Sequence, residues 1–600
     1  MMNKSKSEYT NVLIVGGGIA GLATAKSLIS NNIPCMIIEA QDYIGGRVKT
    51  VVTSDKVPID YGAQFIHGED GNIVYEICKK INCISNNNEN QYELFLTSNG
   101  EKVDVETGKQ FWKIRDNILN KTKAMETENT TFREFLCENY NTELSHLISD
   151  DITRNALIEW FIKFEEEDSG CDTLDNLSLS EFRFLEILKG NYMNTLKYGF
   201  QPFIDYLSST ISKDQIRLNF EVIQVEYKTR HHILLVRVKD LINKKIKKIF
   251  CDHLVWTTSI GYLKENFTKI FATESKLIKQ KLLCIERFGF GTMNKILLIY
   301  RADADFWSDN IIGINLLQLS TSPLKLSNDQ MNFLNDHQID FNKAQTILDA
   351  IIYARCSIDV HMITFGIGGP AALLVEDINE TILSRLCHDV LSHYLKIENK
   401  EQNRPISAFK SEWRKNRFIR GSYSFRSTNS VRNDQDALRE PYKPDGIPRI
   451  LFAGEATHQR FFSTIHGAFE KLHSIQRINS IPLKRIPMNY ISLIIFLGVM
   501  ITMIHCSIIS RTNNRNDVDP FGLIRDNYGC DAVIKSCGNK GKCCDVHDAC
   551  YKRHGCKAIS WIYLWGNCRQ CNLDVMACAV RQNPGKSSCC SAGNCGQPRP

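Results

Sequence analysis

Three glycines and one glutamate form the first set of residues with chemical potential. Residues 11–15 read NVLIV, a short apolar run of strand type, and residues 16–21 read GGGIAG. Leu22–Ile29 then carries helical periodicity, and Cys35–Glu39 (CMIIE) is a second strand-like run. In a strand–turn–helix–strand unit of this kind, Gly16 permits the tight turn and Gly18 lets the backbone approach a pyrophosphate. Gly21 lets helix and strand pack closely. The helix start offers free N–H groups and a positive dipole end to phosphates. Glu39, at the end of the second strand, stands where a carboxylate binds ribose hydroxyls. A lone GxGxxG is a weak signal, but here the context and the acid accompany it, and a dinucleotide site is predicted. A second set lies far along the chain, where Cys543–Tyr551 reads CCDVHDACY. On a helix Cys544, His547 and Tyr551 would share one face, and Cys543 and Cys550 a neighbouring one.

The blocks that follow the first set resemble the flavin-containing amine oxidases. Gly45-Gly46-Arg47 follows the acid closely, and Asp60–Gly68 (DYGAQFIHG) looks like the polyamine oxidase branch. Ile216–Tyr227, Phe288–Ile296, Phe306-Trp307, Trp413 with Gly421–Ser424, and Ile450–Ala468 (ILFAGEATHQRFFSTIHGA) continue the match in family order. The resemblance spans about residues 11–480. It implies FAD as cofactor, with Arg47 on the phosphates and the backbone of Val222 at the adenine. Glu455 and Thr457 would lie on the ribityl–pyrophosphate region. It also implies that Lys295 holds a water beside the reactive flavin nitrogen and that His67 stands on the substrate side. A partly desolvated lysine suits that water; a strand-edge lysine and a packed histidine are the plain alternatives. The implied reaction oxidises a polyamine or other amine to an imine and then an aldehyde, with molecular oxygen giving hydrogen peroxide. Phe461 and Phe462 stand where the branch often carries Tyr, and Phe469–Ile475 (FEKLHSI) departs from the family's usual helix. A flavoprotein that binds without turning over is therefore the rival reading. The run Glu165–Asp168 (EEED) is read as a solvated face more readily than as an attractor of polycations.

The distal pattern CCDVHDACY resembles the active-site helix of secretory phospholipase A2. The resemblance implies that His547 activates water, that Asp548 ligates Ca2+, and that the calcium stabilises the oxyanion of a phospholipid ester. Two departures weaken the activity. Tyr528-Gly529-Cys530 opens the calcium loop but Asp531–Ile534 replaces its glycine-rich continuation, and Cys571-Asn572 stands where the family has Cys-Asp. Asp574, two residues on, serves only if the alignment slips. A non-catalytic toxin-like or structural domain is the alternative.

Composition divides the chain at the same place. Of 22 cysteines, 12 lie between 511 and 600, and that stretch, with 13 basic and 7 acidic residues, carries the whole net charge of +6. Such cysteine density marks a disulfide scaffold in an oxidising compartment. Its basic character suits a phospholipid membrane surface, and no motif points to nucleic acid. Ile486–Ser510 holds no Asp, Glu, Lys or Arg, so it reads as a transmembrane helix or, starting from Met488, as an internal signal peptide. The first reading places a single-pass protein with a cytosolic oxidase and an extracellular or lumenal C-terminal domain. The second makes the chain two adjacent genes read as one, a cytosolic oxidase and a secreted phospholipase.

The fold expected is therefore multidomain. A Rossmann-type α/β FAD-binding domain (about 11–75, 200–260 and 440–480) alternates with an α+β substrate domain (about 76–199 and 261–439). An apolar helix at 486–510 and a small all-α disulfide-rich domain at 511–600 follow.

Overall fold

The computed structural model describes residues 8–470, apart from short breaks at 55, 86–90, 125–129, 272–275, 305, 309, 358–359 and 398–400, together with Cys550 and Arg553. His547, Asp548, Asp574, Asn572 and the apolar segment 486–510 lie outside the described residues. Cys550, within the second compact unit Leu483–Pro600, is disulfide-bonded. Among the described residues no helix is long and apolar enough to cross a membrane, and no cluster of metal-ligating side chains occurs.

The first compact unit, Met1–Pro482, is organised around two sheets. The first has seven strands, all within 8–38, 216–256 and 450–452. Strand Glu8–Val15 lies between Cys35–Ile38 and Ile246–Trp256, parallel to both. Ile450–Phe452 adds a parallel strand on the far side of Ile246–Trp256. A meander of Phe220–Lys228, Ile233–Asp240 and Ile246–Trp256 extends the sheet antiparallel. The parallel centre is buried on both faces, so Val12–Ile14 and Leu254–Val255 are fully enclosed and read as unbroken apolar runs. Helix Ile19–Ser30 covers one face, burying Leu22, Ala25 and Leu28.

The second sheet has six strands, all within 92–97 and 294–410. Its order is Ser407–Lys410, Asn294–Ile299, Met362–Ile367, Tyr353–Ser357, Ile311–Leu317 and Tyr92–Thr97; all pairs are antiparallel except the last. Helices Gly369–Asp377 and Glu380–Leu395 pack their apolar sides into its core. A third cluster, rich in aromatic rings, gathers helices Val105–Lys121, Phe132–Ser145 and Asp151–Ser169. There Trp160 Nε1 donates to Ile352 O at 2.8 Å, tying the helical layer to the second sheet.

The nine described cysteines within residues 8–470 are all free thiols. Most are buried and act as small apolar core residues, in keeping with the contrast between this region and the cysteine-rich stretch beyond it.

Candidate active site

The glycine turn is built as its spacing predicts. Gly16 has φ +105°, a conformation that side chains resist, and a Cβ there would meet Thr257 Oγ1 at 2.7 Å. At Gly21 a Cβ would stand 1.9 Å from Gly16 O, so helix and strand touch only because that position is bare. Helix Ile19–Ser30 begins at Gly18 with no side-chain cap, which leaves its first N–H groups for another acceptor. Glu39 is buried; one carboxylate oxygen accepts Gly17 N at 2.6 Å and the other Gln41 N at 2.8 Å. Burial pushes its pKa up, against those backbone donors.

Gly16, Gly18, Glu39, Arg47 and Val222 line one continuous cavity. The strand carrying Val222 is an edge strand with a bulge between Val222 and Gln224. Gly21 stands behind the turn. Arg47 Nη1 reaches Glu455 Oε1 at 2.8 Å and Ser422 O at 2.9 Å. The other oxygen of Glu455 accepts Ser424 Oγ at 2.5 Å and Ser463 N at 3.1 Å. Glu455 lies in the cavity wall, yet its carboxylate is committed to protein donors, so its visible work is to hold Arg47 and the 422–424 and 463 segments together. Thr457 differs from expectation more plainly. Its hydroxyl donates to Gly454 O at 2.8 Å, and the residue lines a small adjoining hollow and not the main cavity. It ends the 3-10 turn Glu455–Thr457.

The same cavity runs on to Lys295 and His67. Lys295 sits on strand Asn294–Ile299, 7% exposed, and its Nζ donates to Asp60 O at 3.1 Å, Gly62 O at 2.6 Å and Gln64 Oε1 at 2.8 Å. Burial lowers its pKa from 10.5 to about 8, with Asp60 opposing. The ammonium is thus fully satisfied by protein acceptors, and only deprotonation frees a lone pair. His67 packs its ring on Tyr192 at 4.4 Å, and its Nδ1 lies 2.8 Å from Tyr192 O. That contact assigns the proton to Nδ1 and leaves Nε2 as acceptor. Burial lowers the His67 pKa, with Asp168 opposing.

The acidic run is not a solvated face. Helix Asp151–Ser169 ends at Gly170 in the left-handed conformation, and its last turn points inward. Glu165 is 1% exposed and bonds Arg115 at 2.5 Å, while Glu166 pairs with Arg133 at 2.5 Å. Glu167 and Asp168 both line the cavity. Burial holds the Glu167 carboxyl well above the usual carboxylate range, with a backbone bond from Gly368 opposing. Asp168 meets Arg115 Nη2 at 3.2 Å but keeps 35% of its side-chain surface open.

Three cavity residues, Tyr192, Tyr353 and Arg355, carried no sequence signal, and Tyr423 lay unremarked inside the quoted block Gly421–Ser424. The four come from three separate stretches and converge only in the fold. Tyr423 Oη donates to Glu167 O at 2.5 Å, fixing the end of the acidic helix. His466, inside the quoted STIHGA block, is also in the wall. It packs on Phe461 at 4.7 Å, and its Nε2 has no partner among the described residues. Burial, with His67 nearby, lowers its pKa to about 4. Phe462 supplies an aromatic side of the cavity, whereas Phe461 stacks on His458 behind it.

Against known proteins, the family described as flavin containing amine oxidoreductase matches residues 19–471. The chain belongs to that family. The human peroxisomal N(1)-acetyl-spermine/spermidine oxidase is 27% identical over 76% of this chain and 92% of its own length. Polyamine oxidase 3 of Oryza sativa subsp. japonica is 24% identical over 78% of this chain and 88% of its own. Lysine-specific histone demethylase 1 homolog 1 of Arabidopsis thaliana is 25% identical over 77% of this chain and 51% of its own. A solved structure of a redesigned putrescine oxidase superposes with TM-score 0.57 at 14% identity, covering 79% of this chain and all of the other; it speaks for the fold.

Residues up to about 470 therefore form an FAD-dependent amine oxidase. The cavity fits FAD: a bare glycine turn, an uncapped helix start and an arginine lie at one end, and a desolvated lysine lies on the same continuous wall.

Proposed function

We propose that this oxidase acts on polyamines, free or acetylated, in preference to monoamines. The observation that carries the reading is the pair Glu167 and Asp168 in the wall of the cavity that also holds Lys295 and the glycine turn. A substrate with several ammonium groups can set one against these carboxyls while the amine to be oxidised stays neutral near Lys295. The names of the human and rice relatives support the same substrate class.

The chemistry the bound flavin supplies is uptake of a hydride from the carbon beside the amine and its return to dioxygen as hydrogen peroxide. The chain's residues do the rest. Burial raises the Glu167 carboxyl well above the usual carboxylate range, and an arriving ammonium favours its charged form, so the pair binds as carboxylate and ammonium with the proton released to solvent. His67, neutral and with Nε2 free to accept, orients an N–H of the substrate. Lys295, once neutral, has a lone pair for the water that hydrolyses the imine. The aromatic walls of Tyr192, Phe462 and Trp413 keep bulk water from the reacting carbon.

The test is anaerobic mixing of holoenzyme with spermine, spermidine, N1-acetylspermine and benzylamine, following flavin absorbance. Faster bleaching by the polyamines is expected. Faster bleaching by benzylamine overturns the substrate class, and no bleaching by any amine favours a flavoprotein that binds without turnover.

For residues 511–600 the reading is a phospholipase A2-like disulfide domain, supported by the CCDVHDACY pattern and the disulfide at Cys550. Calcium-dependent release of fatty acid from phosphatidylcholine vesicles, lost in His547→Gln, tests the activity. An immunoblot of source tissue with antibodies to each half tests the topology. One band near 68.6 kDa supports a single membrane-anchored chain, and two smaller bands support separate proteins.

A further inference from the structure

One surface stands out among residues that do not line the cavity. Strands Ile233–Asp240 and Ile246–Trp256 form a hairpin in which Ile246 pairs with Lys239 and Lys248 with Arg237. Seven consecutive residues at its tip, 242–248, are exposed and read INKKIKK, four lysines and no acid. Ile242 and Ile246 are 72% and 60% exposed.

The tip is held in shape. Asp240 Oδ1 accepts Ile242 N at 3.2 Å and Asn243 N at 2.9 Å, and Asp240 N donates to Lys245 O at 2.8 Å. Lys244 takes φ +56° to close the turn. Lys247 folds back, with Nζ 3.3 Å from Asp240 Oδ2 and 4.5 Å from the Phe220 ring centre. Among the described residues Lys244, Lys245 and Lys248 meet no carboxylate in an ion pair. The fold thus presents two isoleucines and three unneutralised lysines on an ordered projection.

We propose that this tip docks on an anionic phospholipid surface. Isoleucines flanked by lysines satisfy both layers of a membrane interface. The apolar side chains enter the boundary between headgroups and acyl chains, and the ammonium groups meet lipid phosphates and carboxylates. A nucleic acid would engage the lysines but leave both isoleucines in water. The proposal does not depend on the substrate of the oxidase or on the apolar segment at 486–510.

The experiment uses the full-length holoenzyme with vesicles of phosphatidylcholine alone or mixed with phosphatidylserine. Two quantities are measured: vesicle partition by sedimentation, and hydrogen exchange of the peptide spanning 241–248. The local readout separates this contact from any made elsewhere in the chain. Exchange at 241–248 should slow with phosphatidylserine vesicles and not with phosphatidylcholine alone. K244Q/K245Q/K248Q should raise the phosphatidylserine concentration that half-protects 241–248 on the order of a hundredfold, each lysine near an anionic leaflet contributing about fivefold. I242S/I246S should raise it about tenfold or more. Both variants should retain amine oxidation. Unchanged exchange at 241–248 on phosphatidylserine vesicles, or protection there that persists undiminished in either variant, overturns the proposal. So does a DNA duplex that protects 241–248 as well as the vesicles do and is insensitive to I242S/I246S.

Discussion

Replacing Arg115 with Met isolates what anchors the acidic wall. Arg115 is 6% exposed and its guanidinium gives two hydrogen bonds to Glu165, at 2.5 and 3.2 Å, and one to Asp168 at 3.2 Å. Glu165 is itself 1% exposed, so the variant strands a carboxylate where water cannot reach it. Breaking a buried pair from one side costs about 3–5 kcal/mol. The entropy of unfolding is roughly 2.1 cal/mol/K per residue. Over the compact unit Met1–Pro482 that makes about 1 kcal/mol per degree, and the melting temperature should fall by ~3–5 °C. The double variant Arg115→Met/Glu165→Leu removes the stranded charge as well and should recover at least half of the loss. The pH dependence has a definite sign. Burial already raises the Glu165 pKa while Arg115 pulls it down, so losing Arg115 raises it further. The folded variant then binds more protons than the unfolded chain, and its deficit grows as pH rises above the unfolded value and shrinks in acid. Differential scanning fluorimetry of the three proteins at pH 5 and pH 8 measures this. Equal losses in single and double variants, or a deficit independent of pH, would refute the reasoning.

Glu167→Gln should lower kcat/KM for spermine about 10–100-fold, the worth of a charged hydrogen bond, and leave benzylamine nearly unchanged; steady-state oxygen consumption reads both. Because burial raises the Glu167 pKa and an arriving ammonium pulls it back down, polyamine binding to reduced holoenzyme should release a proton, lost in the same variant, as calorimetry in buffers of different ionisation enthalpy will detect. Lys295 titrates at about 8 when folded against 10.5 ordinarily, so its neutral form grows as pH rises through 8. A limb of kcat/KM rising through that region should vanish in Lys295→Met. The folded chain also binds fewer protons than the unfolded one between pH 8 and 10.5, so this lysine's destabilising effect fades across that window. Gly21→Ala places a methyl 1.9 Å from Gly16 O; the purified protein should carry little flavin, judged by its visible-to-ultraviolet absorbance ratio.

The glycine turn that borders the cavity was legible because its geometry is local. Gly16, Gly18, Gly21 and Glu39 sit within one strand–turn–helix–strand unit, where spacing alone dictates geometry. The family blocks named Arg47, His67 and Lys295, and the fold places all three in the cavity wall. The substrate end was not legible in the same way. Whether the EEED run meets water depends on where the strands near 353–366 and the 421–424 segment fall, hundreds of residues later, and helical periodicity carries no word of that. His466 sat inside a recognised block, yet its type and spacing did not separate a wall residue from a packing one. Thr457 shows the opposite failure. It follows Gly454 and Glu455, which line the cavity, but the 3-10 turn there leaves Thr457 beside a small adjoining hollow.

The bond between Arg47 and Glu455 joins residues 408 positions apart. Strand Ile246–Trp256 likewise waits between a neighbour from the start of the chain and another at Ile450–Phe452. At the usual pace of roughly 5–20 residues per second, a ribosome needs on the order of 20–80 seconds to carry the chain from one end of that bond to the other. The glycine turn emerges early and stays without its closing wall for that whole interval. The segment that closes this wall is made last in the described unit, so a chain cut short before Ile450 should hold FAD far more weakly than the full chain.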